Sequence, residues 1–275
     1  MNHEIRLPRM PLRVALIGWG AINRRVADLL SLRAREQICI VAIGARDPAR
    51  VTSAPSGVRI LRRPEELAGI GLDLAVEAAS SDAVATWGDW ALRHARAFIV
   101  ASTSAFCDTE LLDRMIRTAE AHGSQIIVPP GALAGMDGLA AAALLQLDSV
   151  VHRIIKPPAA WRGTAAESLT ALDGLSRAVT FYTGTAREAA ARFPRNANVA
   201  VISALAGIGL DRTRVELSAD PAARENIHAL SASGAFGTLE VRIENRPLTG
   251  NPRSSEMAAL SLVRIIENRV RALAC

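Results

Sequence analysis

The stretch VALIGWGAIN, residues Val14 to Asn23, decides the fold of this chain. A short apolar run ends at Gly18, and the residues after it carry apolar side chains at helical spacing as far as Leu32. This order predicts a strand, a tight glycine turn and a helix. Taken alone, the stretch could also be an ordinary strand-to-helix turn that binds nothing.

The two glycines of the turn indicate a site for a dinucleotide. Gly18 would let the backbone turn sharply, and Gly20 would leave no Cβ between the chain and a pyrophosphate. The free backbone N–H groups at the helix start, those of Ala21 and Ile22, would face the anion. The third glycine of the G-x-G-x-x-G pattern is replaced by Asn23, so a side chain must lie between the helix and the strand. Such a motif is weak by itself.

The composition is that of a globular protein with a sizeable core, because half of its 275 residues are apolar. The apolar stretches are all shorter than the roughly 20 residues that a membrane span needs. Residues 1 to 12 contain Glu4 and two prolines and do not form a targeting segment, so we expect a cytoplasmic protein that binds no membrane. Cys39, Cys107 and Cys275 have neither a metal-site spacing nor a disulfide framework, and Cys39 is expected in the core.

The net charge of +5 does not indicate nucleic-acid binding. The arginines are scattered among acidic residues along the chain, and the single tyrosine offers no stacking platform. The excess charge instead predicts surface solvation and a mild attraction for small anions. Lys156 is the only lysine among the 32 basic residues. It marks either a site that needs a compact ammonium group or a chance survivor in an arginine-rich chain.

Strands and helices alternate through the first part of the chain. Continuous apolar strands separated by amphipathic helices indicate a parallel sheet covered on both faces. The expected fold class is α/β, with a doubly wound parallel-sheet (Rossmann) domain in residues 1 to 133. A cap cluster, Ser80-Ser81-Asp82, opens one of its helices. The strands are predicted at residues 14–17, 38–43, 58–61, 72–78, 98–101 and 125–128, and the longer helices reach residues 32 and 94 and span 108–122.

The pattern changes after residue 133. Neighbouring strands joined by glycine-containing turns favour an antiparallel sheet, so residues 134 to 251 are predicted to form a second, α+β domain. A last helix over 254–271 is expected to pack back on the first domain, which residues 252 to 275 would complete. The predicted strands of the second domain are 151–155, 179–183, 215–219, 227–233 and 239–245, with helices near 185–192 and 198–210.

The turn after the second strand is where an acidic residue binds the adenosine ribose in NAD enzymes. This chain has Ala45 and Arg46 there, with Asp47 one step later. A guanidinium binds a 2′-phosphate bidentately, so Arg46 predicts that NADP is accepted. The alternative is that Arg46 points to solvent while Asp47 binds the ribose.

Four polar residues of the second half are candidates for chemistry or for structure. His228 follows a polar loop at the start of a strand, where it could face a cleft, although a core or surface role is commoner at such a position. His152 lies within a strand and could be a satisfied structural residue. Asn196 is predicted as a helix N-cap, and Asn198, in the first helical turn, could present its amide to a ligand.

The motifs along the chain resemble those of the L-aspartate dehydrogenases, and the resemblance covers essentially its whole length. So many collinear motifs are far more specific than the glycine loop. The chain departs from the family pattern at Asn23 and at Ala134, where a glycine is frequent. The matching motifs are GWGAI from Gly18, STSAF from Ser102, PGALAG from Pro130, KPP from Lys156, PRNANVA from Pro194, ADP from Ala219, NIH from Asn226 and NP from Asn251.

The resemblance implies NAD(P)-dependent oxidative deamination of L-aspartate to iminoaspartate, then oxaloacetate and ammonia, reversible as reductive amination. It implies a nucleotide-binding domain plus an α+β domain that also mediates dimerisation, and therefore a homodimer. The family's catalytic histidine, in the N-x-H motif, falls on His228. Its nicotinamide-side cofactor contacts fall on Ala132 and Asn198.

Three further residues are candidates for binding. Lys156 could hold one of the two substrate carboxylates. Ser80 and Thr103 follow strand ends of the first domain, where open sheets bind ligands, so they are expected beside the cofactor. Two rival hypotheses remain: an NAD(P)-dependent oxidoreductase of another small amino acid or dicarboxylate, and a nucleotide-sensing protein without turnover.

Overall fold

The first sheet of the molecule is parallel and six-stranded. The structure is a computed structural model that describes residues 10 to 274, apart from the side chains of residues 195, 197, 252 and 253. The strand order is β3-β2-β1-β4-β5-β6, which confirms the predicted doubly wound fold. The strands are β1 (Leu12–Ile17), β2 (Ile38–Gly44), β3 (Arg59–Leu61), β4 (Leu74–Glu77), β5 (Ala97–Val100) and β6 (Gln125–Ile127).

Helices α1 (Ala21–Arg33), α2 (Ser81–His94) and α3 (Thr109–His122) connect these strands and cover the sheet. Side chains alternate between its two faces, so Ala15 and Phe98 belong to the core under α2 and α3. Leu16 and Ile99 belong to the core on the α1 side. The predicted cap of α2 is confirmed, because the Ser80 hydroxyl accepts a hydrogen bond from Ala83 N at 3.2 Å.

The second sheet is mixed, which corrects the predicted antiparallel arrangement. Its order is β11-β10-β7-β9-β8, and β7 pairs with β9 in parallel. The chain between these two strands, residues 157 to 213, contains a strand and two helices and returns to the end of the sheet where β7 began. The strands are β7 (Leu147–Lys156), β8 (Val179–Thr185), β9 (Arg214–Ala219), β10 (Asn226–Gly234) and β11 (Gly237–Asn245).

Helix α6 (Ala197–Ala206) packs on one face of this sheet. It is preceded in the chain by α4 (Met136–Ala142) and α5 (Ala186–Arg192). His152 and Ile154 of β7 are buried on the α6 side, whereas Arg153 between them is exposed on the other face. Helix α4 is absent from the sequence predictions, because seven residues are too few to establish a helical period.

The chain ends on the first domain. After the short hairpin of β12 (Pro247–Leu248) and β13 (Asn251–Ser255), helix α7 (Glu256–Glu267) packs against α1. Val263 and Ile266 lie in the same core as Leu30 of α1. The helices are also joined by an ion pair of 2.7 Å between Arg33 Nε and Glu267 Oε1. The domain limits at residues 133 and 251 stay predictions.

Cys39 corrects another expectation, because its side chain is exposed instead of lying in the core. Apolar neighbours on both sides suggested a fully buried strand. Cys39 is the second residue of β2, however, and the strand is continuously buried only over its last three residues.

Asn23 replaces a glycine of the nucleotide-loop pattern and has a structural role here. Its side chain is fully buried, and its Nδ2 donates to the carbonyl oxygens of Ile17 at 3.0 Å and Gly18 at 2.9 Å. The amide therefore binds the end of β1 to the first turn of α1. A glycine at this position would let the helix and the strand pack closely together. In this chain the Asn23 side chain lies between them instead.

We expect the Asn23→Ala substitution to lower the free energy of unfolding by about 1–3 kcal/mol, because two carbonyl groups at the end of β1 lose a buried donor. Denaturant unfolding followed by circular dichroism measures this loss. Asp28→Ala, an exposed change on the same helix, is the matched control. Equal stability of the two variants would contradict the role given to Asn23.

Candidate active site

The glycine turn lies at the point where the strand order of the first sheet reverses. β1 is hydrogen-bonded to β2 on one side and to β4 on the other, and ligands bind outside the carboxyl ends of strands at such a point. Gly18 has φ +91°, and a Cβ placed on it would lie 2.6 Å from the Cβ of Ala79. Glycine is therefore required at 18 both by the backbone and by the neighbouring loop after β4.

Gly20 is different, because no packing contact requires it. A Cβ added there would meet no protein atom within 4 Å. Gly20 occupies the N-cap position of α1, and no side chain within the described residues caps this helix. The open space and the uncapped N–H groups of Ala21 and Ile22 fit the pyrophosphate of a dinucleotide.

The structure gives Arg46 and Asp47 different surroundings beyond β2. Gly18 N donates to Gly44 O at 2.7 Å, which brings the end of β2 next to the glycine turn. Arg46 follows two residues later and is exposed. Asp47 is occupied locally: it accepts from Ala49 N at 3.1 Å and pairs with Arg50 at 3.3 Å. These contacts favour Arg46 over Asp47 as the group that meets a ligand.

A buried carboxylate that the sequence analysis missed organises the loops after β4 and β5. Glu77, with no exposed surface, accepts from Ala79 N at 2.6 Å, Ser80 N at 2.9 Å and Ser102 N at 2.9 Å. The Ser102 hydroxyl donates to it as well, at 2.8 Å. Burial raises the pKa of Glu77, and the four donated hydrogen bonds oppose this rise by stabilising the charged form.

The loop after β5 also binds the second domain. Thr103 Oγ1 donates to the backbone oxygen of Asn198 at 2.9 Å, and Ser104 N donates to Asn198 Oδ1 at 2.9 Å. Thr103 is fully buried in this contact, whereas Asn198 is exposed. The first turn of α6 is thereby fixed beside the carboxyl edge of the first sheet.

His228 belongs to a buried pair of imidazoles. Its Nδ1 lies 3.1 Å from Nε2 of His152, and His152 Nδ1 lies 3.0 Å from the hydroxyl of Ser203 on α6. Burial lowers the pKa of His152 to about 4. Burial first, and then the neighbouring His152 ring and the Lys156 cation, hold the pKa of His228 well below its usual range. Both rings are therefore neutral near pH 7.

Lys156 and Asn196 meet at the end of β7. Lys156 Nζ donates to Asn196 Oδ1 at 2.5 Å and lies 5.2 Å from the ring centre of Trp161. Asn196 holds the predicted N-cap position of α6, but its side chain makes no capping hydrogen bond. This corrects the capping prediction: the amide oxygen accepts from an ammonium group instead of from the helix.

Ala132 is held by its backbone. Its carbonyl oxygen accepts from Asn245 Nδ2 at 2.9 Å, and Asn245 pairs across the sheet with Asn226, two residues before His228. The PGA loop of the first part of the chain thus lies beside the strand that carries the histidine.

The predicted site residues fall into three groups. Gly18, Gly20, Ala21, Ile22 and Arg46 lie around the glycine turn, and Ser80, Thr103 and Asn198 are linked through Glu77 and the α6 contact. His228, Lys156 and Ala132 lie around the second sheet. Their roles stay predictions.

A cavity of about 610 Å³ lies between β6, α4, α6 and α7. Apart from Asp137 and Arg264 its lining is mostly apolar, and none of the predicted site residues lines it.

Comparisons with known proteins match both halves of the chain. Residues 137–269 match the family model described as "Aspartate dehydrogenase, C-terminal", and residues 18–129 match "Homoserine dehydrogenase, NAD binding domain". The L-aspartate dehydrogenase of Brucella anthropi is 54% identical over 258 residues, which are 94% of this chain and 96% of that protein. That of Serratia proteamaculans is 42% identical over 253 residues, 92% of this chain and 95% of that protein.

The solved structure of an aspartate dehydrogenase from Thermotoga maritima has the same fold. It superposes with a TM-score of 0.75 at 26% sequence identity, over 96% of this chain and 99% of that one. Within residues 10 to 274, every helix is too short or too polar to cross a membrane.

We expect Glu77→Gln to destabilise the protein by about 1–3 kcal/mol, because the new amide N–H₂ would face N–H donors that now meet a carboxylate oxygen. The midpoint of denaturant unfolding measures this effect, with the exposed Glu36→Gln as the control. An unchanged midpoint would mean that Glu77 does not organise the two loops.

Proposed function

The chain belongs to the L-aspartate dehydrogenase family, and from this premise we propose that it catalyses the NAD(P)-dependent oxidative deamination of L-aspartate. The products are iminoaspartate and then oxaloacetate and ammonia, and the reaction reverses as reductive amination. The observation that carries the proposal is the neutral His228–His152 pair beside the Lys156 cation. A proton acceptor next to a fixed positive charge suits a substrate that carries one ammonium and two carboxylates.

The carboxyl edge of the first sheet is assigned to the pyrophosphate and adenosine parts of NAD(P). Gly18 and Gly20 would let the cofactor approach the backbone, and the N–H groups of Ala21 and Ile22 would bind its phosphates. Arg46 would bind the 2′-phosphate of NADP, because it is exposed two residues beyond the end of β2.

The nicotinamide part is assigned to the junction of the two domains. Ala132 and Asn198 would contact it, with Ser80 and Thr103 beside it on the loops that Glu77 holds. When bound, the nicotinamide would accept the hydride that leaves the substrate Cα. Thr103 would act through its position, because its hydroxyl is already donated to Asn198 O.

His228 would remove a proton from the substrate ammonium, so that the nitrogen lone pair can form the imine. Its lowered pKa keeps the ring neutral, and therefore able to accept a proton, at neutral pH. Lys156 would hold a substrate carboxylate, with Asn196 fixing the ammonium group in place.

The protein would work as a cytoplasmic homodimer joined through the second sheet. The face of that sheet opposite α6 supports this assignment, because Val151, Ile155 and Ala229 on it are partly exposed. The domain limits would be residues 133 and 251, with α7 completing the first domain through its contacts with α1.

The proposal is tested by mixing the purified protein with oxaloacetate, ammonium and either NADPH or NADH, and following the absorbance of the reduced nicotinamide. A fall in absorbance supports the proposed reaction. A fall with another keto acid but not with oxaloacetate would favour a related dehydrogenase. Cofactor binding without turnover on any substrate would favour a nucleotide sensor.

We expect His228→Ala to lower turnover by about 10²- to 10⁴-fold, the usual contribution of a positioned general base. Binding of NADPH, measured by its fluorescence, should be unchanged, because the cofactor site is assigned mainly to the other domain. His122→Ala, at the exposed end of α3, serves as the control. Wild-type turnover of the His228 variant would remove the histidine from the mechanism.

We expect Arg46→Ala to weaken NADPH binding by about 10- to 100-fold, since a charge-assisted hydrogen bond to phosphate is lost. NADH binding should change little, because NADH has no 2′-phosphate. Dissociation constants from fluorescence titration decide the matter, with the exposed Arg35→Ala as control. Equal weakening of both cofactors would refute the phosphate contact.

A further inference from the structure

A continuous hydrogen-bond chain leads from α6 to His228 through two buried side chains. Ser203 Oγ lies 3.0 Å from the backbone oxygen of Ala200 and 3.0 Å from His152 Nδ1. His152 Nε2 then lies 3.1 Å from His228 Nδ1. Ser203 and His152 have no exposed surface, and His228 is 6% exposed.

The direction of this chain is fixed at its Ser203 end. The hydroxyl has a single proton, and the carbonyl of Ala200 can only accept, so that proton lies between the two oxygens. The opposite direction would leave two oxygen lone pairs facing each other at 3.0 Å. Ser203 Oγ must therefore accept from His152, whose proton is on Nδ1.

The direction continues through the neutral ring of His152. A neutral imidazole has one N–H, so with Nδ1 protonated its Nε2 can only accept. The proton between the two rings must then come from His228 Nδ1. The lone pair of His228 is consequently on Nε2, the nitrogen that points away from His152.

The surroundings of His228 agree with a neutral ring. β7 presents Lys156 and His152 to it, both of which oppose a second proton. β11 presents the apolar Ile243 directly opposite in the sheet, and α6, in residues 197–206, contains no titratable side chain.

We infer that Ser203 and His152 are positioning residues that hold His228 in the tautomer with Nδ1 protonated, so that Nε2 is the atom that accepts the substrate proton. The first half of this inference rests on the hydrogen-bond geometry together with a neutral His152 ring, and the second half rests on the proposed function. Both residues are fully buried and would act through the ring of His228.

Nitrogen-15 NMR of histidine-labelled protein tests the tautomer directly, without any substrate. The His228 ring, assigned by comparison with a His228→Ala sample, should show a protonated Nδ1 and an unprotonated Nε2 at pH 7.5. Ser203→Ala should give a mixture of tautomers at His152 and His228, whereas Ser203→Thr, which keeps the hydroxyl, should not. A protonated Nε2 in the wild type would overturn the inference.

Kinetics test the catalytic half. His152→Phe keeps a planar aromatic ring but removes the acceptor for His228 Nδ1–H, and we expect kcat to fall by about 10- to 100-fold with KM for the cofactor unchanged. His152→Gln places an amide oxygen near the former Nε2 and should recover most of kcat. Ser31→Ala, which removes an exposed hydroxyl near the end of α1, is the control and should leave kcat unchanged.

The outcomes separate the inference from the proposed function. The expected tautomer without any turnover would refute the proposed function and leave the hydrogen-bond chain in place. Turnover with an unchanged kcat in His152→Phe, or an equal loss in His152→Phe and His152→Gln, would refute the positioning role. If His152→Phe does not fold, the NMR and kcat of Ser203→Ala and Ser203→Thr decide the same question.

Discussion

A carboxylate buried at the edge of the first sheet is the constraint on which the candidate site depends. Glu77 ends β4, and its four hydrogen bonds bind the loops after β4 and β5 to one point. The first of these loops presses Ala79 against Gly18, so the glycine turn is also held. Removing a charge from water costs free energy, and the four donors recover it only if both loops keep their shape.

Helix α6 connects these loops to the second domain through hydrogen bonds. Its first turn is bound to the loop after β5 through Asn198, and its middle is bound to His152 through Ser203. Asn196, just before the helix, holds Lys156. Residues 196 to 206 thus fix the relative positions of the carboxyl edge of the first sheet, the histidine pair and Lys156. The two polar residues of this otherwise apolar helix, Asn198 and Ser203, make these contacts.

Helices, strands and caps were predictable wherever the residues of a single segment show the hydrophobic period or the capping residue that defines the element. The strand that stops before Gly18 and the cap at Ser80 follow from periodicity and side-chain chemistry within a few residues. The direction of β9 relative to β7 was not predictable, because it depends on how 57 intervening residues return, from 157 to 213. Glu77 was missed for a similar reason. Its structural role depends on backbone groups of two loops that are separated along the chain, and the sequence of the apolar strand alone does not show these contacts. The N-cap position of Asn196 was predicted correctly, but the partner of its side chain, Lys156, was not.

The charges around His228 favour binding before proton transfer. Burial, His152 and Lys156 all lower the pKa of His228, so the free protein keeps a neutral ring that is a weak base. A bound dicarboxylate would neutralise the positive charge of Lys156 and add negative charge near the ring, and this would raise the pKa of His228. The imidazole would then become a stronger proton acceptor only when the substrate is present. The Lys156 cation would therefore make His228 a weaker base in the free protein. Substrate carboxylates that neutralise this cation would couple their own binding to the removal of the ammonium proton.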